Sequence, residues 1–291
     1  MSGWKIGIIG GSGLDTIHVL HDPQWITIDT PWGKPSDQLL TGRIGAVEFV
    51  FLPRHGRGHR LSPSDVNARA NINALKRAGC TDVIAISAVG SLRETMVPGD
   101  FVVVDQFIDR TFAREKSFFG AGIVAHVSMA DPTCPRLSKL CADAADAAGA
   151  NVIRGGTYLA MEGPQFSSRA ESLLYRQWGC DVIGMTAMPE AKLAREAELP
   201  YALVGMVTDY DCWRVGEDAV EVNSVIAQLL ANAELGRQLV VHLAELIPTQ
   251  RHSSPIDTVL DMAIITAREA RDPVLLAKLD VVCARVTTAQ R

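Results

Sequence analysis

Two carboxylates one residue apart, Asp209 and Asp211, follow the apolar run Tyr201-Ala-Leu-Val-Gly-Met-Val207. A carboxylate is costly to bury unless something pairs with it, so acids delivered by a buried strand need partners. Side chains alternate along a strand. Extended backbone through Thr208-Asp-Tyr-Asp211 would therefore place both carboxyls on one face. Two like charges in a poorly solvated pocket push one pKa up, and a carboxyl that keeps its proton near neutral pH can serve as a general acid. A helix cap or a turn after the strand explains the same residues. From the acids alone both readings stay open.

Three other strand ends carry groups suited to an anion. The run Lys5–Ile9 leads into Gly10-Gly-Ser-Gly13, where glycine lets backbone N–H groups face a ligand and Ser12 adds a hydroxyl. No G-x-G-x-x-G and no Gly-Lys-Ser/Thr runs through it, which speaks against a dinucleotide fingerprint and a Walker loop; a plain tight turn remains the alternative. Leu52-Pro-Arg-His-Gly-Arg-Gly-His59 releases Arg54, His55, Arg57 and His59 after another apolar run. Arginine can grip an oxyanion bidentately and histidine can donate to it; a solvated basic loop is the other reading. A metal held by His55 and His59 would need a helix at their spacing, and Gly56 and Gly58 oppose one. Ile86-Ser-Ala-Val-Gly-Ser-Leu92 offers Ser87 and Ala88 at a third strand end, where ligands of α/β sheets gather.

The elements that must position these groups are legible as short apolar runs: Lys5–Ile9, Val47–Leu52, Asp82–Ala88, Phe101–Ile108, Gly156–Met161, Asp181–Thr186 and Tyr201–Thr208. Several are continuous, as in strands buried on both faces. Helical patterns are expected from Ser62 through Asn67 to Arg77, and over Cys134–Ala148, Ser168–Trp178, Pro189–Glu198, Ala219–Leu246 and Pro255–Ala270. The alternation predicts a single α/β domain with a mixed central sheet flanked by helices. Residues 1–250 are expected to form that domain, and residues 251–291 a C-terminal helical extension packing on it. Ile247–Pro255 reads as a linker.

The bulk numbers narrow the class. At 47% apolar and 21% charged residues the chain has an ordinary globular composition. A net charge of −5 without a basic stripe gives nucleic-acid binding no electrostatic support. Six scattered cysteines without a C-x-x-C pair suit a reducing compartment. With no secretory leader pattern and no apolar run of about 18 residues, a cytoplasmic protein without membrane contact is expected.

IGIIGGSGLD, DTPWGKPSD, RHGRGH, NARANINALKRAGC, SAVGSLRE, PGDFVVVDQFIDRT, MEGPQFSSRAES, GMTAMPEAKLAREA and TDYDCW, between residue 6 and about residue 213, carry a resemblance. The chain resembles the trimeric purine nucleoside phosphorylases, most closely the branch that cleaves 5′-methylthioadenosine. The resemblance implies reversible phosphorolysis, with phosphate as co-substrate and no metal or organic cofactor. Adenine and 5-methylthioribose 1-phosphate would be the products. It implies a phosphate site of Ser12, Arg54, His55, Ser87, Ala88 and Thr186, the same groups picked out at the first three strand ends with Thr186 added. The better-known glycine loop has Thr where this chain has Ser12, and the hydroxyl is kept. Met185 would pack near the ribose, and Phe166 and Ser167 would line the base. Asp209 would face purine N7 and Asp211 the 6-amino group; related 6-oxopurine enzymes use Asn at that strand end. Val222, Val225 and Ile226 form an apolar stripe that pattern alone assigns to core packing. The resemblance places them in a methylthio pocket, with His126 reaching in from a neighbouring subunit of a homotrimer.

Other classes stay in view. The same chemistry on a 6-oxopurine nucleoside is opposed by the Asp pair. A dinucleotide-binding oxidoreductase is opposed by the missing glycine fingerprint. A nucleoside-binding module without turnover differs only in an assay.

Overall fold

The computed structural model describes residues 3–10, 19–214 and 222–288, with residues 222–227, 229 and 288 described by their backbone. Strands β1 (Lys5–Gly10), β2 (His21–Ile26), β3 (Leu39–Ile44) and β4 (Val47–Pro53) precede helix α1 (Ala68–Arg77). Then come β5 (Asp82–Ser91), β6 (Phe101–Val104), β7 (Gln106–Asp109), α2 (Pro135–Ala147), β8 (Val152–Arg154) and β9 (Thr157–Ala160). Helix α3 (Arg169–Gln177), β10 (Val182–Gly184), α4 (Ala187–Glu196), β11 (Tyr201–Asp209) and α5 (Val222–Leu246) follow, and two short helices, α6 (Pro273–Lys278) and α7 (Ala284–Thr288), end the described chain.

The strands form one mixed sheet. β4, β1, β5 and β11 run parallel and open their carboxyl ends on one edge. Alternation explains why their apolar runs are continuous. Ile9, Val50, Leu52, Val83 and Ala85 pack on one face with Ile72 and Leu75 of α1 and Leu193 of α4. Ile6, Ile8, Phe49, Phe51, Ile84 and Ile86 pack on the other with Leu137 and Cys141 of α2 and Leu239 and Leu243 of α5. Such two-faced burial removes the polar alternation of a half-exposed strand. Around β5 the sheet closes on itself: β5 pairs with β11, β11 with β6, β7 with β9, β9 with β10, and β10 returns antiparallel to β5.

The cap of α3 falls at Ser168, where the sequence reading starts that helix, whereas α1 is capped at Asn67. The Asn67 side chain accepts from Ala70 N at the start of α1, and Ser168 and Glu171 form a reciprocal capping box on α3.

Four expectations are corrected. The run Phe101–Ile108 is two strands broken at Asp105, whose carboxylate accepts from Gly156 N while the chain passes from β11 to β9. The first helix begins at Ala68, because residues 62–65 make a turn, with Asp65 N donating to Ser62 O. No helix spans Pro255–Ala270. A 3₁₀ turn covers Pro255–Thr258, and residues 263–265 then pair with 124–126 through His126 N to Ala263 O and Ile265 N to Val124 O. The stretch read as a linker is anchored: Arg251 pairs with Asp82 and Asp257 at 2.5 and 2.7 Å. Leu260, Leu279, Val282 and Val286 then join the same core as Ile9 and Ile72.

Candidate active site

The described groups expected to bind an anion come together from the end of β4, the middle of β5 and the start of α4; β5 runs on to Ser91, so Ser87 and Ala88, expected at a strand end, lie inside the strand. Arg54 follows β4 and is 1% exposed. Its Nε and Nη2 grip both oxygens of Glu190 at 2.6 and 3.2 Å, Nη2 also reaches Ile9 O, and Nη1 reaches Ile86 O. Four donations thus leave one Nη1 hydrogen of the guanidinium's five. Burial opposes the charge on Arg54, but the Glu190 carboxylate outweighs it and the pKa stays raised. The hydroxyl of Tyr201 donates to Glu190 at 3.3 Å. A buried pair satisfied in this way holds its geometry; losing either member would strand a charge.

Ser87 and Thr186, from β5 and the start of α4, bring their hydroxyls within 3.2 Å of each other, and Ala88 lies beside them, half-buried. His55 donates Nδ1–H to Leu61 O at 2.9 Å, because a carbonyl can only accept. Burial, then the neighbouring Arg54 charge, lowers its pKa to about 4. The ring is therefore neutral at pH 7 and keeps Nε2 as an acceptor. It stacks on His59 at 4.3 Å, and among the described residues no three His, Cys, Asp or Glu side chains converge as metal ligands. Ser12 lies outside the described residues.

Farther along β5 sits the carboxylate pair. Asp209 accepts from Asp211 N at 2.8 Å and pairs with the Thr208 hydroxyl at 2.7 Å. Strand geometry does not persist to Asp211: β11 ends at Asp209, and Asp211 has φ +51°. The two carboxyls are brought together by an Asx turn, with Asp211 in the left-handed region that Asp tolerates. Burial raises both pKa values, and for Asp211 the charge of Asp209 adds to it, against the lowering effect of nearby Ser172. Asp211 Oδ2 and the Ser172 hydroxyl are both buried without a well-formed hydrogen bond, and the Ser172 and Ser167 hydroxyls are the side-chain donors that act on this carboxyl. Gly90 makes the room: it pairs with Asp209 of β11 and Ile183 of β10, and a Cβ there would lie 2.9 Å from Asp209 Oδ1. Ser87 and Gly90 are three residues apart on β5, a separation of about 10 Å, so a pentose fits between anion site and acids.

Ser167 borders the pair, its hydroxyl acting on the Asp211 carboxyl. Ser167 is buried and its carbonyl accepts from Cys212 Sγ at 3.1 Å, whereas Phe166 is 47% exposed. Met185, half-buried, precedes Thr186. His126 is exposed and sits on the paired segment 124–126. Val222, Val225 and Ile226 lie in the first turns of α5, their side chains outside the described residues. A surface cavity of about 480 Å³ between β6 and α2 contains none of these groups.

Sequence reasoning missed Glu190, Tyr158, Arg114 and Glu162. Glu190 lies in the expected helix Pro189–Glu198, but the backbone is non-helical at Met188, so no i,i+4 spacing ties it to Thr186. Tyr158, whose hydroxyl accepts from Thr186 N at 3.4 Å, comes from a strand with no feature to mark it.

The pattern of the phosphorylase superfamily matches residues 5–245. A protein named S-methyl-5′-thioadenosine phosphorylase from Cereibacter sphaeroides is 61% identical over 97% of this chain and 98% of its own length. One of the same name from Bradyrhizobium diazoefficiens is 57% identical over 97% of each. Among solved structures, a methylthioadenosine phosphorylase from an antarctic soil metagenomic library superposes with a TM-score of 0.91 at 45% identity, over 97% of this chain and 99% of that one. The Schistosoma mansoni methylthioadenosine phosphorylase in complex with adenine gives 0.79 at 37% identity, over 97% and 98%.

Proposed function

The chain belongs to the phosphorylase superfamily, and from that premise we propose that it is a pentosyltransferase performing the reversible phosphorolysis of 5′-methylthioadenosine to adenine and 5-methylthioribose 1-phosphate. A phosphate oxygen attacks C1′, the bond from C1′ to N9 breaks, and its electron pair passes into the purine. Asp209, whose pKa burial raises, gives a proton or hydrogen bond to N7 as that charge develops. Asp211 accepts from the 6-amino group. The observation that carries this reading is the buried carboxyl pair joined by Asp211 N to Asp209 Oδ1, with Asp211 Oδ2 lacking a well-formed hydrogen bond. An acceptor left bare costs free energy that a donor from the ligand removes, and an amino group supplies one where a carbonyl cannot.

Phosphate is held by Arg54, His55, Ser87, Ala88, Thr186 and Ser12. With Arg54 neutralised by Glu190 and His55 uncharged, binding rests on directed hydrogen bonds; His55 Nε2 accepts from a protonated phosphate oxygen. Met185, Phe166 and Ser167 flank the ribose and base. Val222, Val225 and Ile226 form the methylthio pocket, completed by His126 of a neighbouring copy in a homotrimer. The reaction as written needs neither metal nor organic cofactor, and the protein works in the cytoplasm. At fixed phosphate, base release is compared for methylthioadenosine, methylthioinosine, adenosine and inosine. Preference for methylthioadenosine is expected; preference for the 6-oxo substrates would remove Asp211 from its role.

A further inference from the structure

One buried ion pair beside the site is used by none of the chemistry above. Arg114, 5% exposed, stands on the segment after β7 and reaches back into the molecule. Nη1 donates to Met185 O and Met188 O, the latter at 2.7 Å. Nη2 donates to Glu162 O and, at 3.5 Å, weakly to Met161 O, while Nε meets Glu162 Oε1 at 3.3 Å. All five N–H groups are committed. Glu162 in turn accepts from the Ser64 hydroxyl, from Phe112 N at 2.6 Å and from Ala113 N. Three chain segments around the site therefore meet at one pair: Ser64 beyond the Arg54 loop, Glu162 before Phe166, and the carbonyls on either side of Thr186. Arg114 and Arg54 also line the same small cavity with Thr186 and Glu190.

We propose that Arg114 is a positioning residue for the phosphate half of the site: by holding the carbonyls of Met185 and Met188 it fixes the peptide before Thr186, so that the Thr186 hydroxyl is aimed beside Ser87. The Thr186 and Ser87 hydroxyls stand 3.2 Å apart. A guanidinium is suited to the task, because its planar fork serves several acceptors at fixed angles where an ammonium cannot. Gly163 keeps the clamp compact, since a Cβ there would come within 2.5 Å of Met185 Sδ.

This inference rests on the reading of the phosphate site, so its test does not require turnover. Phosphate is titrated into wild-type protein and Arg114→Ala, and the rise in Tm gives its affinity; steady-state assays then give KM for phosphate and for methylthioadenosine. The expected result is phosphate affinity weakened about tenfold or more, with KM for the nucleoside within about twofold, as a misplaced donor would produce. Millimolar guanidinium should restore the phosphate affinity of Arg114→Ala. Unchanged phosphate affinity with only a lower Tm, or equal losses for both substrates without rescue, would overturn it. If Arg114→Ala does not fold, Arg114→Lys retains a charge opposite Glu162 and is read the same way, weakened phosphate binding for the proposal and wild-type binding against it. Wild-type protein that binds phosphate yet cleaves no nucleoside would defeat the reaction assigned above while leaving Arg114 to be judged by affinity.

Discussion

The backbone N–H of Asp211 donates to Asp209 Oδ1 at 2.8 Å, so the turn that presents one acid is built on the side chain of the other. The two residues are therefore a structural unit as well as a chemical one. The substitutions that separate these roles keep an acceptor at position 209 and change only its ability to give a proton.

Asp209→Asn is such a change. The amide oxygen can still accept from Asp211 N, while the proton for N7 is gone. Turnover should fall about 100-fold or more, the range for loss of a general acid, with Tm close to wild type. Steady-state kinetics beside thermal unfolding checks this; wild-type turnover would remove Asp209 as the acid. The raised pKa of Asp209 also sets a sign: turnover should decline as pH rises through that pKa, because the proton is lost.

Asp211→Asn tests base selection. An Asn amide can donate to a 6-oxo group where a carboxylate cannot. The ratio of kcat/KM for methylthioadenosine over methylthioinosine should fall by about tenfold or more, as expected when a buried polar match is exchanged. An unchanged ratio would place the 6-substituent elsewhere.

Glu190→Gln leaves Arg54 as a buried charge with no counter-charge. Breaking a buried pair on one side costs roughly 3–5 kcal/mol. Phosphate should recover part of it, because the anion replaces the missing carboxylate and a ligand at about 100 times its Kd stabilises by about 2.7 kcal/mol. Calorimetry with and without phosphate reads both terms; a Tm gain from phosphate no larger than that of wild type would detach Arg54 from the anion.

Much of this site could be read from the chain because its strands are buried on both faces. Continuous apolar runs ended by Arg54 and Asp209 mark strand ends whichever way the sheet closes, whereas β5 runs past Ser87 to Ser91. The polar strand β2, exposed along most of its length, gave no such signal, and neither did the break at Asp105, which is set by a carboxylate answering Gly156 across the sheet. The left-handed turn at Asp211 depends on a side-chain acceptor that alternation ignores. Glu190 is 136 residues from Arg54, and a contact of that separation leaves no local pattern.

Away from the site, Glu196 is 8% exposed and accepts from Phe118 N and the Ser117 hydroxyl. Burial raises its pKa to about 7 despite those bonds. Between the unfolded value near 4.5 and about 7 the folded protein holds a proton that the unfolded chain releases, so this residue costs stability as pH rises through that window. Glu196→Gln keeps an acceptor for Phe118 and should raise Tm at pH 8 with little effect at pH 4. Equal Tm shifts at both pH values would show that ionisation of Glu196 is not the cause.

The most direct test of the reaction is phosphorus NMR of the protein incubated with methylthioadenosine and inorganic phosphate, with adenine measured in the same samples. Adenine and a sugar 1-phosphate appearing in equal amounts, with no adenine when phosphate is omitted, is the predicted result. Adenine released at the same rate without phosphate, and no phosphate ester formed, would make water the nucleophile and contradict the assignment of Arg54, His55, Ser87 and Thr186 to phosphate.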